Sequence, residues 1–199
     1  MHTLYFIIAL IAFYALHSVL AANGVKKGLG LILPKRYYRL VYNFLSTLFL
    51  AGLILLYFLV EKAPLWEPNL LLSLLGVVPI LIGTNWVVQA MKRYNLNEFI
   101  GLEQLRTGQP PQHNKLIVRG LNGRVRHPLY FGTLLIVWGV LPISPTDAML
   151  GFSMISTIYL VIGSRLEEEK LVAQFGEAYR RYQREVPMLL PFKAVKRIK

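Results

Sequence analysis

The sequence contains no cysteine and few charged residues of either sign. The absence of cysteine excludes disulfide bonds, thiolate metal sites and a cysteine nucleophile, and it leaves the cellular compartment open. Charged residues make up only 16% of the chain, and the 22 lysines and arginines outnumber the 10 aspartates and glutamates. The sequence also lacks a P-loop, a glycine-rich dinucleotide fingerprint and a His-x-x-x-His pair. We therefore expect no metal site and no nucleotide site of a known pattern.

Apolar residues are present in excess. They account for 55% of the 199 residues, whereas a soluble domain usually contains about 45–50%. The formal net charge of +12 would indicate a nucleic-acid partner in a soluble protein. Here the basic residues lie between long apolar runs, which is typical of loops beside an anionic membrane surface. We therefore predict a membrane lipid environment and no nucleic-acid partner.

Five apolar stretches predict five transmembrane helices. A helix needs about 20 residues to cross about 30 Å of hydrocarbon, and three stretches reach this length: Leu4–Ala22, Tyr38–Val60 and Asn69–Met91. Leu129–Leu141 and Thr146–Gly163 follow, separated by a helix-breaking Pro-Ile-Ser-Pro turn. The predicted fold is an all-α polytopic membrane protein whose last two spans form a hairpin, followed by cytoplasmic C-terminal helices.

The basic residues predict the orientation of these spans. A signal peptide carries its positive charge before the apolar run. Here His2 is the only basic residue before the first run, and lysines follow it, so we expect the first span to be retained. All of the 22 lysines and arginines except Lys62 fall on one side of the predicted spans. The positive-inside rule then places the N-terminus outside and the C-terminus in the cytoplasm, and we expect a bacterial-type inner membrane.

The predicted organisation is a single membrane domain over residues 1–199. Its parts are three N-terminal spans (1–91), a cytoplasmic loop (92–128), the helical hairpin (129–164) and cytoplasmic tail helices (165–199). Loops as long as this one are usually functional or disordered, and whether it acts as a lid stays open. In the tail, Gly176 and Pro187 predict helix ends, which gives helices over Arg165–Phe175 and Glu177–Glu185.

The segment from Arg126 to Gly132, which reads Arg-His-Pro-Leu-Tyr-Phe-Gly, is the strongest candidate for chemistry. Proline favours the first position of a helix, so His127 is expected to cap the fourth span, with Tyr130 one turn inside. Free N–H groups at a helix start attract a carboxylate or a phosphate, and Arg126 adds a cation with bidentate geometry. The alternative is an ordinary helix start with basic and aromatic anchors at the headgroups.

An acidic cluster, Glu167-Glu168-Glu169, stands at the inner end of the fifth span, after Arg165. The predicted hairpin brings it close to Arg126 and His127. A basic helix start that faces an acidic helix end suits a zwitterionic ligand, whereas the alternative is a group of solvated carboxylates. The fourth span is short for a membrane crossing, so either its start is recessed below the surface or the bilayer thins there.

Tyr179 and Tyr182 are spaced to share one face of the last helix. They are candidates to cover a purine or ribose, and membrane anchoring is the alternative.

His113, in the long loop, is expected to be merely exposed. Polar residues inside the first three spans either join helices or line a cavity: His17, Ser18, Asn43, Asn85 and Gln89.

In this order, the segments resemble the superfamily of integral membrane methyltransferases, which includes isoprenylcysteine carboxyl methyltransferases and phospholipid N-methyltransferases. The matched residues are Gly120, Arg126–Gly132, Glu167-Glu168, Phe175–Tyr182, Val186-Pro187 and Pro191. The chain is most similar to the methanethiol S-methyltransferase branch, and three further segments carry that similarity: His17-Ser18, Tyr38–Asn43 and Gly101–Gln104.

The resemblance implies a site for S-adenosylmethionine at the cytoplasmic end of the last two spans. The residues that match the cofactor site of the family are Arg126, His127, Tyr130, Gly132, Glu167, Glu168, Tyr179 and Tyr182. The favoured acceptor is a small thiol such as methanethiol. The alternatives are an isoprenylcysteine carboxylate or thiol, a phospholipid amine, and a non-enzymatic membrane assembly or accessory protein.

If the chain is a methyltransferase of this kind, three of its residues are candidates for catalysis. A thiol acceptor must lose its proton before it reacts, and His127, Glu168 or water is available to accept it. A carboxylate acceptor would instead need a cation, for which Arg165 is the candidate. The acceptor, the group that takes the proton and the oligomeric state stay open.

Overall fold

The structure is a computed structural model, and it describes residues 2–29, 33–92, 95–108 and 116–191. His113 of the long loop lies outside the described residues. The elements are α1 (His2–Ala21), α2 (Asn23–Leu29), α3 (Lys35–Leu59), α4 (Leu70–Met91), α5 (Leu96–Ile100), α6 (Leu102–Thr107), a 3₁₀ turn (Gly120–Gly123), α7 (Pro128–Val140), α8 (Asp147–Phe175) and α9 (Glu177–Glu185). Within these ranges the chain is helical, which confirms the predicted all-α class.

Four helices are long and apolar enough to cross a membrane: α1 from Thr3, α3, α4 and α8. The protein is therefore an integral membrane protein, as predicted. The remaining predicted span, α7, is an apolar helix of 13 residues, or roughly 20 Å, shorter than the hydrocarbon core.

The fifth predicted span is longer than expected. Its helix, α8, continues from Asp147 to Phe175 over 29 residues, or roughly 44 Å. The predicted helix over Arg165–Phe175 is therefore the end of α8. Gly176 caps α8 with a φ of 56°, and α9 begins at once with Glu177. The break at Gly176 and the helix over Glu177–Glu185 are as predicted.

The described residues fall into two compact units, and the first comprises Met1–Ala63 and Tyr94–Gln112. In this unit α1 and α3 are joined by the His17 imidazole, which is hydrogen-bonded to the hydroxyl groups of Tyr42 (2.7 Å) and Ser46 (3.1 Å). Polar bonds between helices replace the hydrophobic drive that is missing within lipid. His17 thus joins two helices of this unit.

The short helices α5 and α6 are held on α3 in the same unit. Arg39 and Asn43 of α3 both donate to the carbonyl oxygen of Phe99, each at 3.0 Å. Gly101, between α5 and α6, has a φ of 98°, and a Cβ at this position would lie 2.9 Å from the backbone nitrogen of Leu40. Glycine is therefore required both for the turn and for the close approach.

The second unit comprises Pro64–Arg93 and His113–Lys199, and α4 packs along α7 within it. The crossing is lined by glycines. A Cβ on Gly83 would lie 2.5 Å from the carbonyl oxygen of Gly132, and a Cβ on Gly76 would lie 2.5 Å from that of Gly139. Because the earlier glycine of α4 meets the later one of α7, the two helices run antiparallel with their backbones in direct contact. Small residues are the usual means of such packing in membranes.

The hairpin of α7 and α8 completes this unit. The Trp138 indole N–H donates to the Thr157 hydroxyl at 2.9 Å, and the buried Ser153 hydroxyl bonds within α8 to the carbonyl of Met149 at 2.9 Å. Leu65, ahead of α4, donates its backbone N–H to the carbonyl of Pro145 in the hairpin turn at 2.7 Å. The short turn predicted from the Pro-Ile-Ser-Pro sequence therefore forms.

We expect Gly83→Ala to destabilise the protein and Gly163→Ala to leave it unchanged or slightly more stable. The new methyl group at position 83 would meet backbone, which cannot move aside, whereas a Cβ at Gly163 of α8 has nothing within 4 Å. Overpacking of this kind typically costs about 1–3 kcal/mol, while alanine is the better helix former. Thermal unfolding in detergent compares the two. Equal midpoints would show that the glycine crossing is not tight.

Candidate functional site

The basic start of α7 and the acidic end of α8 meet, as the hairpin predicted. The Arg126 guanidinium donates from Nε to Oε1 of Glu168 at 2.5 Å and from Nη2 to Oε2 at 3.0 Å. The side chains are only 10% and 9% exposed. This is a bidentate ion pair largely shielded from water, a geometry that makes charge-assisted hydrogen bonds strong.

Arg126 also holds the C-terminal part of the chain. Its Nη1 donates to the carbonyl oxygen of Gln183 at 3.0 Å and to that of Val186. The main chain before α7 adds two bonds, because the N–H groups of Arg126 and His127 donate to the carbonyls of Pro187 (2.9 Å) and Met188 (3.1 Å). The segment that follows α9 is thus fastened to the start of α7.

Glu168 receives two further hydrogen bonds besides those of Arg126. The side-chain amide of Gln183 donates to Oε2 at 2.9 Å, and Nε2 of His127 lies 3.1 Å from Oε1. An ionised carboxylate only accepts, so the proton of a neutral His127 sits on Nε2 and donates to Glu168. The lone pair is then on Nδ1, which lies 3.6 Å from Oε2 of Glu167.

Glu167 is the more accessible of the two carboxylates. Its side chain is 46% exposed, compared with 9% for Glu168. The Tyr130 hydroxyl donates to Oε2 of Glu167 at 3.1 Å, and the rings of Tyr130 and His127 lie parallel with their centroids 5.5 Å apart. Glu167 therefore presents a negative charge to solvent, with Tyr130 and His127 beside it.

Tyr179 and Tyr182 lie behind the ion pair. They are 1% and 4% exposed and pack together with Val186, Leu171, Val172 and Phe175. The Tyr182 hydroxyl donates to the carbonyl of Asn122 at 2.6 Å, and burial raises the pKa of Tyr182 to about 12. Burial likewise raises the pKa of Tyr179 above its usual range. The two rings fix α9 against α8, and their role towards a purine or ribose stays a prediction.

Two predicted site residues lie elsewhere. Gly132 belongs to the glycine crossing of α4 and α7, where its Cβ would come within 2.8 Å of the carbonyl oxygen of Gly83. Arg165 is exposed on α8, and it is not among the residues that bond to Glu168 in the described parts of the chain. Conversely, sequence reasoning missed Gln183, which binds both members of the ion pair. Its position one residue after Tyr182 in an otherwise polar helix carries no signal of this role.

Residues 5–182 match the family described as NnrU protein. The chain belongs to the NnrU family. It is 32% identical over 195 residues to a methanethiol S-methyltransferase of Crocosphaera subtropica, covering 93% of this chain and 73% of the relative. A methanethiol S-methyltransferase of Mycobacterium tuberculosis is 29% identical over 185 residues, covering 88% of this chain and 72% of the relative. No solved structure matches the chain.

The similarity confirms two predictions about this NnrU family member. The relatives carry methyltransferase names and align with most of the chain, so the predicted enzyme class is confirmed. The branch to which the sequence was most similar is also the one to which these relatives belong. The site residues lie within the aligned family up to Tyr182.

We expect Arg126→Lys to lower the stability of the protein, because one ammonium group cannot bind a carboxylate in two places and also reach two carbonyls. Breaking a buried pair typically costs about 3–5 kcal/mol. Arg184→Lys is the matched control, since Arg184 pairs with Glu177 on the surface, where the two side chains are 63% and 69% exposed. Thermal unfolding in detergent measures both. A loss of stability in both variants or in neither would contradict the special position of Arg126.

Proposed function

We propose that the protein transfers a methyl group from S-adenosylmethionine to a small thiol such as methanethiol. The observation that carries this proposal is the cluster of Arg126, His127, Tyr130, Glu167 and Glu168, which unites the residues of the family motif at one place. The names of the aligned relatives support the thiol acceptor. Isoprenylcysteine and phospholipid amines are the alternative acceptors.

The charges of the cluster suit the methionine end of this cofactor. Arg126 and Glu168 are paired with each other, which leaves Glu167 as the more exposed carboxylate of the cluster. A half-exposed carboxylate favours a cationic group, and S-adenosylmethionine carries both an ammonium and a sulfonium. We propose that Glu167 takes the ammonium, with Tyr130 and His127 beside it, while Tyr179 and Tyr182 support the wall formed by α9. When bound, the cofactor supplies a methyl group on a good leaving group.

His127 is placed to accept the proton of a thiol. Because Nε2 donates to Glu168, the lone pair of Nδ1 is available on the Glu167 side. His127 would take the S–H proton at Nδ1, and the bound cofactor would supply the methyl group to the resulting thiolate, giving a thioether and S-adenosylhomocysteine. Glu168, the other candidate, already accepts four donors. For a carboxylate acceptor, Arg165 would supply the cation.

We further propose that the N-terminus lies outside and the site faces the cytoplasm of a bacterial inner membrane. The uneven distribution of basic residues supports this orientation. It would place the site on the side of the membrane where S-adenosylmethionine is made. A small apolar thiol could reach the site directly from the lipid phase.

The test is binding followed by turnover. We expect the detergent-purified protein to bind S-adenosylhomocysteine with a micromolar Kd by calorimetry. We also expect it to convert methanethiol to dimethyl sulfide, measured by headspace gas chromatography. His127→Ala is expected to reduce turnover about 100-fold or more, the usual effect of losing a general base. Parallel assays with isoprenylcysteine and phosphatidylethanolamine identify the alternative acceptors. A folded protein that does not bind the cofactor would refute the proposal.

A further inference from the structure

We infer that the adjacent carboxylates of the site have different tasks. Glu168 is a positioning residue that, with Arg126 and Gln183, clamps α9 and the segment after it onto the ends of α7 and α8. Glu167 is the carboxylate that binds the ligand ammonium. The inference rests on the proposed function for the identity of the ligand, whereas the clamp is argued from contacts within the protein.

The guanidinium of Arg126 has little capacity left for a ligand. It has five N–H donors. Two of them are directed at the oxygens of Glu168, and Nη1 reaches the carbonyls of Gln183 and Val186. One N–H of Nη2 is not assigned to these partners, so a ligand carboxylate could bind Arg126 in two places only by displacing one of them from a side chain that is 10% exposed.

Glu168 is saturated in the same way. A carboxylate has about four lone-pair sites, and Glu168 accepts from Nε and Nη2 of Arg126, from Nε2 of His127 and from the amide of Gln183. An ammonium group that approached it would have to replace one of these donors. Glu168 therefore acts on a ligand through His127, whose proton it holds on Nε2.

Gln183 is the residue through which α9 is bonded to the ion pair. Its side-chain amide donates to Glu168 while its main-chain carbonyl accepts from Arg126. One residue of α9 is thus bonded to both charges. Its carbonyl and that of Val186 at the end of the helix share Nη1 of Arg126. Loss of the pair would remove the side-chain bonds that help to hold the end of α9 on α7 and α8.

Glu167 keeps capacity for a ligand. Its side chain is 46% exposed, and the Tyr130 hydroxyl donates to one of its two oxygens. The lone pair of His127 lies on the same side, at 3.6 Å from that oxygen. An ammonium would here meet a carboxylate without displacing a donor from Glu168 or an acceptor from Arg126.

The experiment compares Glu167→Gln, Glu168→Gln and Glu169→Gln, which each remove one negative charge with almost no change of shape. Glu169 is the control because it is the exposed neighbour on the same helix. We measure the affinity for S-adenosylhomocysteine by calorimetry and the unfolding midpoint without ligand. Methylthioadenosine, which lacks the amino-acid part, serves as a second ligand.

We expect Glu167→Gln to raise the Kd for S-adenosylhomocysteine at least 10-fold, with an unchanged affinity for methylthioadenosine and an unchanged midpoint. Glu168→Gln and Gln183→Met are expected to lower the midpoint by about 5 °C or more, since about 2–4 °C corresponds to 1 kcal/mol in a protein of this size. The double variant Arg126→Met/Glu168→Met should recover much of the loss, because it leaves no buried charge unpaired. Glu169→Gln should change neither quantity.

The opposite pattern overturns the inference: a normal midpoint with lost affinity in Glu168→Gln, and normal affinity in Glu167→Gln. Equal loss of affinity for both ligands in Glu167→Gln would likewise refute its contact with the ammonium. If the wild-type protein binds neither ligand, the proposed function and the ligand role of Glu167 both fail. The clamp is still judged by the midpoints of Glu168→Gln and Gln183→Met.

Discussion

The ion pair of Arg126 and Glu168 is the interaction on which the site depends. Taking two charges out of water is expensive, and their attraction offsets that cost only when the remaining donors and acceptors also find partners. Here they do: Gln183 and His127 complete the carboxylate, and the carbonyls at the end of α9 complete the guanidinium. The same bonds tie the start of α7 to the end of α8 and to α9, which follow it more than 40 residues later. An ion pair that would destabilise the protein without these additional partners is therefore stabilised here. It lies directly beside His127, Tyr130 and Glu167.

The glycine crossing is the second constraint, because it fixes the position of α7, whose start carries part of the site. Within lipid there is no water for apolar side chains to leave, so the hydrophobic effect does not drive helices together. Close backbone contact therefore has to hold α4 and α7 together. Gly83 with Gly132 and Gly76 with Gly139 allow that contact. Gly132 is part of the family motif, and in this structure it lies in the crossing, where a side chain would meet the backbone of α4.

The two adjacent carboxylates differ in their surroundings. Arg126 and Glu168 are paired and largely shielded from water, whereas Glu167 is half exposed beside Tyr130 and Nδ1 of His127. An exposed carboxylate of this kind suits the cationic cofactor that we propose. Membership in the NnrU family and the methyltransferase names of its relatives point the same way. Methyl transfer from a sulfonium mainly requires alignment of the reactants, and the clamp around the site would contribute to that alignment.

The sequence by itself determined the all-α membrane class, the three long apolar helices α1, α3 and α4, the hairpin, the break at Gly176 and the contact of Arg126 with the acidic end of α8. These features follow from local rules: apolar length, proline and glycine at helix ends, and a short turn that forces two helices together. The sequence left open which carboxylate binds Arg126, that Gln183 joins the pair, and that Gly132 faces Gly83. Only the tertiary structure decided these points. Periodicity shows which residues are apolar or helical, but which donor saturates which acceptor depends on distances between segments that lie 40 or more residues apart, as between Arg126 and Glu168 or Gln183.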